Sequence, residues 1–429
     1  VRLVGSEMCI RDSLFYAYGY AQMEAHAELL VRLYAQARGR AAEFYGEEYL
    51  DEDRWVRTNG IHERASEWAA QQSPEFYPLL QAFANGLNAR AAEQAESLTV
   101  AARAVLPLTV KDVLAHGMRV INFGWFVNSE SVETRVNGSI KPPSGSNGWA
   151  ISPSKSASGR AMLLSNSHLQ WGDKHTYFEV QLSAPGVSSY GAVWVGFPTL
   201  RLCFNDYIGW TQTTNGPSLA GLYRLTLKDD GYFLDGQTRP FEVDRQVMQV
   251  RREYAVDEEE LTIRRSVHGP VVFDRDGMTV ALRAAGTARP RMFEQLWRMG
   301  LAQNLEQFED AMRMQQLPLF NTMYADRDGR IMYLYNAASP LRSRGDHSFW
   351  SGVVPGDDSE LIWSDDVVPY EELPKVIDPP DGWVQNCNDS PWTCTHPMVI
   401  EPEMSPAYLS LIHISEPTRR TPSAYAGVC

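Results

Sequence analysis

The succession of patterns along this chain predicts an α+β fold in which helices and strands are segregated. Apolar residues recur at helical spacing through roughly the first third. From residue 146 to about residue 290 they alternate with period two between turn residues, and two amphipathic helices then interrupt a return to strand pattern. Pattern alone reaches no further than that class.

Composition sets the outer bounds. The chain has 429 residues, 44% hydrophobic and 21% charged, enough for a large core. A formal net charge of -14 and a pI near 5.2 argue against nucleic acid as a partner. The longest apolar runs are of strand length, so no membrane span is expected.

Taken in order, residues 14–46 place Tyr16, Tyr20, Met23, Ala27, Leu30, Leu33 and Ala37 near a 3.6 period and predict a helix. Glu24 and His26 on it are two apart and do not share a face, which favours surface or packing roles over a metal pair. Residues 61–96 continue as helix, with Trp68, Phe76, Leu79, Leu80, Phe83 and Leu87 as the apolar face. A further helix starts after Thr109, an N-cap residue, and runs through Trp125. Residues 128–145 read as a linker.

Strands follow. The run from Trp149 to Ser152 pairs back on Ala161 to Leu164 as a hairpin, and further strands cover 176–182, 190–196, 202–212 and 222–227. A hairpin is expected around Asp257-Glu258-Glu259 and another around Asp276-Gly277. Helices are predicted over 291–302 and 305–314, the second capped by Asn304, with strands again at 319–325 and 330–335.

Gly145-Ser146 stands where the linker becomes sheet. A serine hydroxyl beside an unhindered glycine carbonyl can attack it, turn the amide into an ester, and leave a new amino terminus after hydrolysis. Ser146 then carries nucleophile and base together, because an α-amine of pKa roughly 7.7–8.0 is partly neutral near physiological pH. There is no Gly-x-Ser-x-Gly elbow to support a conventional serine hydrolase.

Gly145-Ser146-Asn147-x-Trp149, followed by Leu164-x-Asn166-x-His168-Leu169, resembles the penicillin amidase family of N-terminal-nucleophile hydrolases. The resemblance covers residues 14–408. It implies an αββα sandwich, incomplete here at both ends, and a heterodimer of α and β subunits cut from one precursor. The regions it implies are an α-subunit helical part at 14–127, the processing segment at 128–145, and a partial β subunit at 146–408. Residues 1–13 and 409–429 resemble translated adapter sequence, with ordinary tails as the alternative. On the adapter reading Cys9 and Cys429 leave the cysteine count.

Further motifs carry implied roles. Phe197-Pro198, Phe204-Asn205-Asp206 and Gly209 to Asn215 resemble a family signature that puts the Thr214 backbone N–H in an oxyanion hole. Leu319 to Asp326 resembles the strand whose asparagine, here Asn321, donates the second oxyanion bond. Arg342 falls where the family has an arginine near the nucleophile, and His168 where some members carry a histidine beside it. The loop Asn386-Cys387-Asn388 resembles one near the active site, with no chemistry implied. Leu169, Trp210 and Phe320 are expected to line an apolar acyl pocket.

The implied activity is hydrolysis of a small N-acyl amide, an acyl-homoserine lactone or a related apolar substrate. The alternatives are a β-lactam acylase and a homologue that neither cuts itself nor catalyses. No cofactor and no metal are expected; Ser218 to Gly221 offer no carboxylate for calcium. Cys387 and Cys394 can close a small disulfide loop or remain thiols. The family implies a periplasmic or secreted protein, the export signal lying outside this text.

Overall fold

The computed structural model describes residues 4–125, 127–138, 145–388 and 391. Its first helix, Val4–Ala37, starts ahead of the apolar period and takes in part of the 1–13 segment that resembles adapter sequence. Once a helix is nucleated, adding residues costs little, so a weakly patterned flank joins it. The helix is interrupted at His26, which leaves helical φ/ψ, and ends where Gly39 takes φ 64°. The helix expected over 61–96 is two, Ile61–Ala70 and Tyr77–Glu93. They are divided at Ser73, whose hydroxyl accepts from Phe76 N, and the second carries a proline in its first turn.

Thr109 caps Val110–Val120 as expected, in a reciprocal box with Asp112. One π-turn, Ile121–Trp125, follows and sets the direction of Trp125. Within the segment read as linker, Asn128 and Ser131 cap a further helix, Ser129–Val136. Its capping signal was present in the sequence and was masked by the turn-rich residues after it.

The helices Val4–Ala37 and Tyr77–Glu93 meet through glycine. A Cβ on Gly86 would lie 1.9 Å from Tyr16 O, and one on Gly19 would lie 2.2 Å from Phe83 O. Backbone carbonyls cannot step aside as a side chain does. Gly86→Ala is therefore expected to destabilise by about 1–3 kcal/mol, read as a lower denaturant midpoint at unchanged slope.

A seven-stranded antiparallel sheet holds the centre, in the order Lys375–Ile377, Ile331–Tyr335, Asn321–Asp326, Ile208–Thr213, Leu202–Asn205, Val187–Trp194, Tyr177–Ala184. On one face lie helices: Trp210 and Tyr324 pack on Phe308 of Leu305–Met312, and Phe178 packs on Tyr18. On the other lies a three-stranded sheet, Trp383–Asn386, Ser146–Ile151, Met162–Ser167. Gly148 of that sheet faces Met323, Thr211 and Thr213. Among the described residues this gives a layer of helices and two facing sheets, a mixed α+β arrangement. The outer face of the three-stranded sheet shows Met162, Leu164 and Trp383 to solvent.

A six-stranded sheet is built from Glu242–Arg251, Val256–Ser266, Gly269–Arg275, Met278–Ala284, Ala220–Leu225 and Val353–Pro355. Its Asp276-Gly277 turn is the expected one, both residues at positive φ. The first hairpin turns earlier than expected, at residues 252–255. Asp257, Glu258 and Glu259 lie in strand, paired with Val250, Gln249 and Met248. Arg252 pairs with Asp257, Glu259 and Glu47, and Arg54 pairs with Glu259, so the acidic run is held by cations and not by a turn. Beneath them Met248 and Val250 form a small core with Ala42 and Leu50.

Candidate active site

Ser146 opens the central strand of the three-stranded sheet and is 5% exposed. Side chains alternate along a strand, so Ser146 shares a face with Gly148 and Ala150, the face turned toward the seven-stranded sheet. Its register partner is Ser167. The ladder continues one residue outward: His168 N donates to Gly145 O at 2.9 Å. The carbonyl that self-cleavage would attack therefore has a fixed donor.

Ser146 N donates to Asn388 Oδ1 at 2.6 Å, and Asn388 Nδ2 donates to Thr214 O at 2.8 Å. Asn388 N donates in turn to Asn386 Oδ1 at 2.7 Å. The loop after the Trp383–Asn386 strand thus reaches the serine because that strand is hydrogen-bonded along Ser146–Ile151. Asn388 holds φ 76° there, a left-handed conformation that asparagine tolerates better than most residues.

The expected members are placed as follows. Thr214 comes to the site, its carbonyl accepting from Asn388 and, at 3.3 Å, from Asn321. It follows the Ile208–Thr213 strand, and its own N–H takes no hydrogen bond among the described residues. Asn321 is fully buried, but its N–H groups are spent on Thr213 Oγ1, Thr214 O and Asn386 Oδ1 at 3.1, 3.3 and 3.0 Å. Asn388 is the residue that touches Ser146, and Asn321, expected to donate to the oxyanion, stands behind it.

The expectation for Trp210 is corrected. On Ile208–Thr213 the residues that face Ser146 are Thr211 and Thr213, so Trp210 points the other way, onto Phe308, with Nε1 bonded to Arg201 O. It supports the sheet from the helical side and lines no pocket at the serine. Leu169 is half-buried against the core beside His168. Arg342 is 6% exposed, donates to Ser218 O and lies over Trp350 at 4.5 Å. Burial pulls its pKa down to about 10, with Arg135 adding to the effect. It makes no contact with Ser146 or Asn321 among the described residues. Cys394 lies outside those residues, so its pairing with Cys387 is not described.

Phe320, expected to line the acyl pocket, is fully buried next to Asn321, in the strained φ of 92° that a non-glycine residue rarely holds. Its N–H is tied to Asn215 Oδ1 at 2.9 Å. Its ring meets Trp125 edge-on at 5.7 Å, and Trp125 stacks on Trp194 at 5.5 Å. Arg201, 4% exposed, lies 4.3 Å from both the Trp194 and Phe320 rings and donates to Tyr177 OH at 3.2 Å. Tyr177 OH and Ser167 Oγ are 3.3 Å apart, which brings this aromatic wall to the residue opposite Ser146. Sequence reading put the Asn386-Cys387-Asn388 loop near the site without a role for Asn388, and missed Trp125, Trp194 and Arg201.

The chain is similar to known proteins. A family model described as penicillin amidase matches residues 11–421. An acyl-homoserine lactone acylase PvdQ of Pseudomonas savastanoi pv. phaseolicola is 25% identical over 446 aligned positions, 88% of this chain and 56% of that protein. The PvdQ of Pseudomonas fluorescens (strain Pf0-1) is 29% identical over 278 positions, 58% of this chain and 35% of that one. A solved thermostable penicillin G acylase from Alcaligenes faecalis superposes with a TM-score of 0.49 at 24% identity, covering 57% of this chain and 44% of that one. The chain spans about half the length of the curated relatives it matches, at 57% or less. With nearly its whole length matched by the family model, the chain belongs to the penicillin amidase family, whose members are amide hydrolases.

Proposed function

We propose that this chain is part of a self-cleaving acylase in which Ser146 is nucleophile and, through its freed α-amine, base. The observation that carries the reading is the bond from Ser146 N to Asn388 Oδ1, which places a fixed amide at the nitrogen that self-cleavage would release. In the first reaction Ser146 Oγ attacks the Gly145 carbonyl, whose oxygen is held by His168 N–H. The C–N bond breaks as the Oγ proton passes to the nitrogen, which becomes an amine, and water hydrolyses the ester to leave a Gly145 carboxylate and a Ser146 hydroxyl and amine.

In the second reaction the neutral amine takes the Oγ proton while Oγ adds to the substrate carbonyl. The oxyanion is held by Thr214 N–H and the second Asn388 Nδ2–H, with Asn321 held in reserve behind them. The leaving amine departs with that proton, and water then releases the acyl group as a carboxylic acid. His168 positions the cleaved strand end. The aromatic wall of Trp125, Trp194 and Phe320 suits apolar acyl groups. The names of the PvdQ relatives point the same way, toward acyl-homoserine lactones. The reading carries with it two noncovalently held subunits and a periplasmic or secreted location. Intact mass and amino-terminal sequencing of the full-length gene product test it: two chains, one beginning at Ser146, are expected, and a single intact chain that still hydrolyses amides would overturn it.

One observation favours a second reading of the substrate. Arg201 is buried at the wall with Nε unpartnered and with no carboxylate paired to it among the described residues. An acyl group ending in a carboxylate would supply that partner. On this reading Arg201→Leu lowers kcat/KM for a glutaryl amide by about 10²-fold or more and leaves an octanoyl amide within about threefold, since a buried charge pair is worth about 3–5 kcal/mol. Equal effects on both substrates would leave the apolar reading alone.

A further inference from the structure

We infer that Tyr333, acting through Asn321, is a positioning residue for the amide that faces Ser146. The inference rests on the reading of Ser146 as nucleophile. It starts from a donor whose identity is fixed: the backbone N–H of Asn388 points at the Asn386 side chain, so the atom it meets must be the oxygen, Oδ1. The same oxygen accepts from Thr213 Oγ1 at 2.6 Å and faces Asn321 at 3.0 Å, which obliges Asn321 to present its Nδ2. Asn321 Oδ1 then faces away, where Tyr333 OH donates to it at 2.8 Å. Each orientation forces the next, and all five residues are under 9% exposed, so no bulk water competes.

Asn386 Oδ1 and Thr214 O fix which end of the Asn321 carboxamide faces them, and the Tyr333 hydroxyl supplies the donor at the opposite end. Without it Asn321 Oδ1 is left buried and unsatisfied, and the carboxamide tilts away from Asn386 to recover a donor. That tilt releases Asn386, and with it the left-handed Asn388 backbone that puts Oδ1 on Ser146 N. Tyr333 and Asn321 are diagonal neighbours on adjacent strands of the seven-stranded sheet, Met323 lying opposite Tyr333 and Tyr335 opposite Asn321, so the relay is anchored in the central sheet.

The test is a double-mutant cycle on the full-length gene product, with Tyr333→Phe, Asn321→Leu and the pair. Tyr333→Phe keeps the ring, so packing is preserved. We expect kcat to fall about tenfold with KM within about twofold, Asn321→Leu to cost more, and the pair to cost no more than Asn321→Leu alone. Melting temperature is followed in each variant, because a packing role would lower it in step with activity and would not split kcat from KM. Unchanged kcat in Tyr333→Phe, or losses in the pair that multiply, overturns the inference. An uncut yet active parent protein overturns the reading beneath it, a distinct outcome.

Discussion

With Ser146 replaced by alanine, the full-length gene product is expected to remain one unbroken chain and to lose its amide hydrolysis by at least about 10⁴-fold, the scale set by removal of a nucleophile acting with its base. The substitution takes away a single oxygen. It leaves the strand register, the Gly145 carbonyl bond to His168 N and the Asn388 contact in place, since each of these uses backbone atoms of residues 145 and 146. Folding should therefore survive, and the melting temperature is the control. Ser146→Cys keeps a nucleophile at the same place and should still be cut. Mass spectrometry of the three proteins decides the matter: two subunits from the alanine variant would end the proposal.

Asn388→Ala should have the next largest effect, about 10²–10³-fold in kcat, the usual cost of an oxyanion donor, with an added loss from a less fixed Ser146 nitrogen. The more telling substitution is Asn388→Asp. A carboxylate beside the α-amine favours the ammonium form, so the amine pKa rises. The amine must be neutral to act as base, so activity is present above its pKa, and the acidic limb of the kcat/KM profile moves to higher pH. An Asn388→Asp enzyme with an unmoved acidic limb would show that the amine is not the base. Activity of Asn388→Ala within threefold of the parent would return the oxyanion to Asn321.

Local chemistry was legible in the sequence wherever it was self-contained. Thr109 and Asn304 announced helix starts because an N-cap needs only the next three residues. Asp276-Gly277 announced its turn because positive φ suits few other pairs. Ser146 could be placed at a strand start because a glycine and a turn-rich segment precede it. The orientation of Trp210 was also within reach: two-residue alternation puts it opposite Thr211 and Thr213, and the pocket assignment overlooked that parity.

Other features were not legible, for a physical reason. Asn388 meets Ser146 across 242 residues of chain, through a strand pairing that no local pattern encodes. Arg201 joins Trp194 and Phe320 only when three separate strands are assembled. The acidic stretch at 257–259 looked like a turn because its balancing cations, Arg252 and Arg54, come from the hairpin tip and from a helix far upstream.

The apolar contacts on either side of residue 145 have a mechanical consequence. Phe15 lies against Trp297, Tyr18 against Phe178, Trp125 against Trp194, and Ala42 and Leu50 share a cluster with Met248 and Val250. Every one of these joins an upstream partner to a downstream one, and none depends on the peptide link at 145–146. Scission at that point would relax one strand end and leave these contacts intact. A nicked molecule is then expected to keep the hydrodynamic size of the whole one, and only denaturation would separate its two parts.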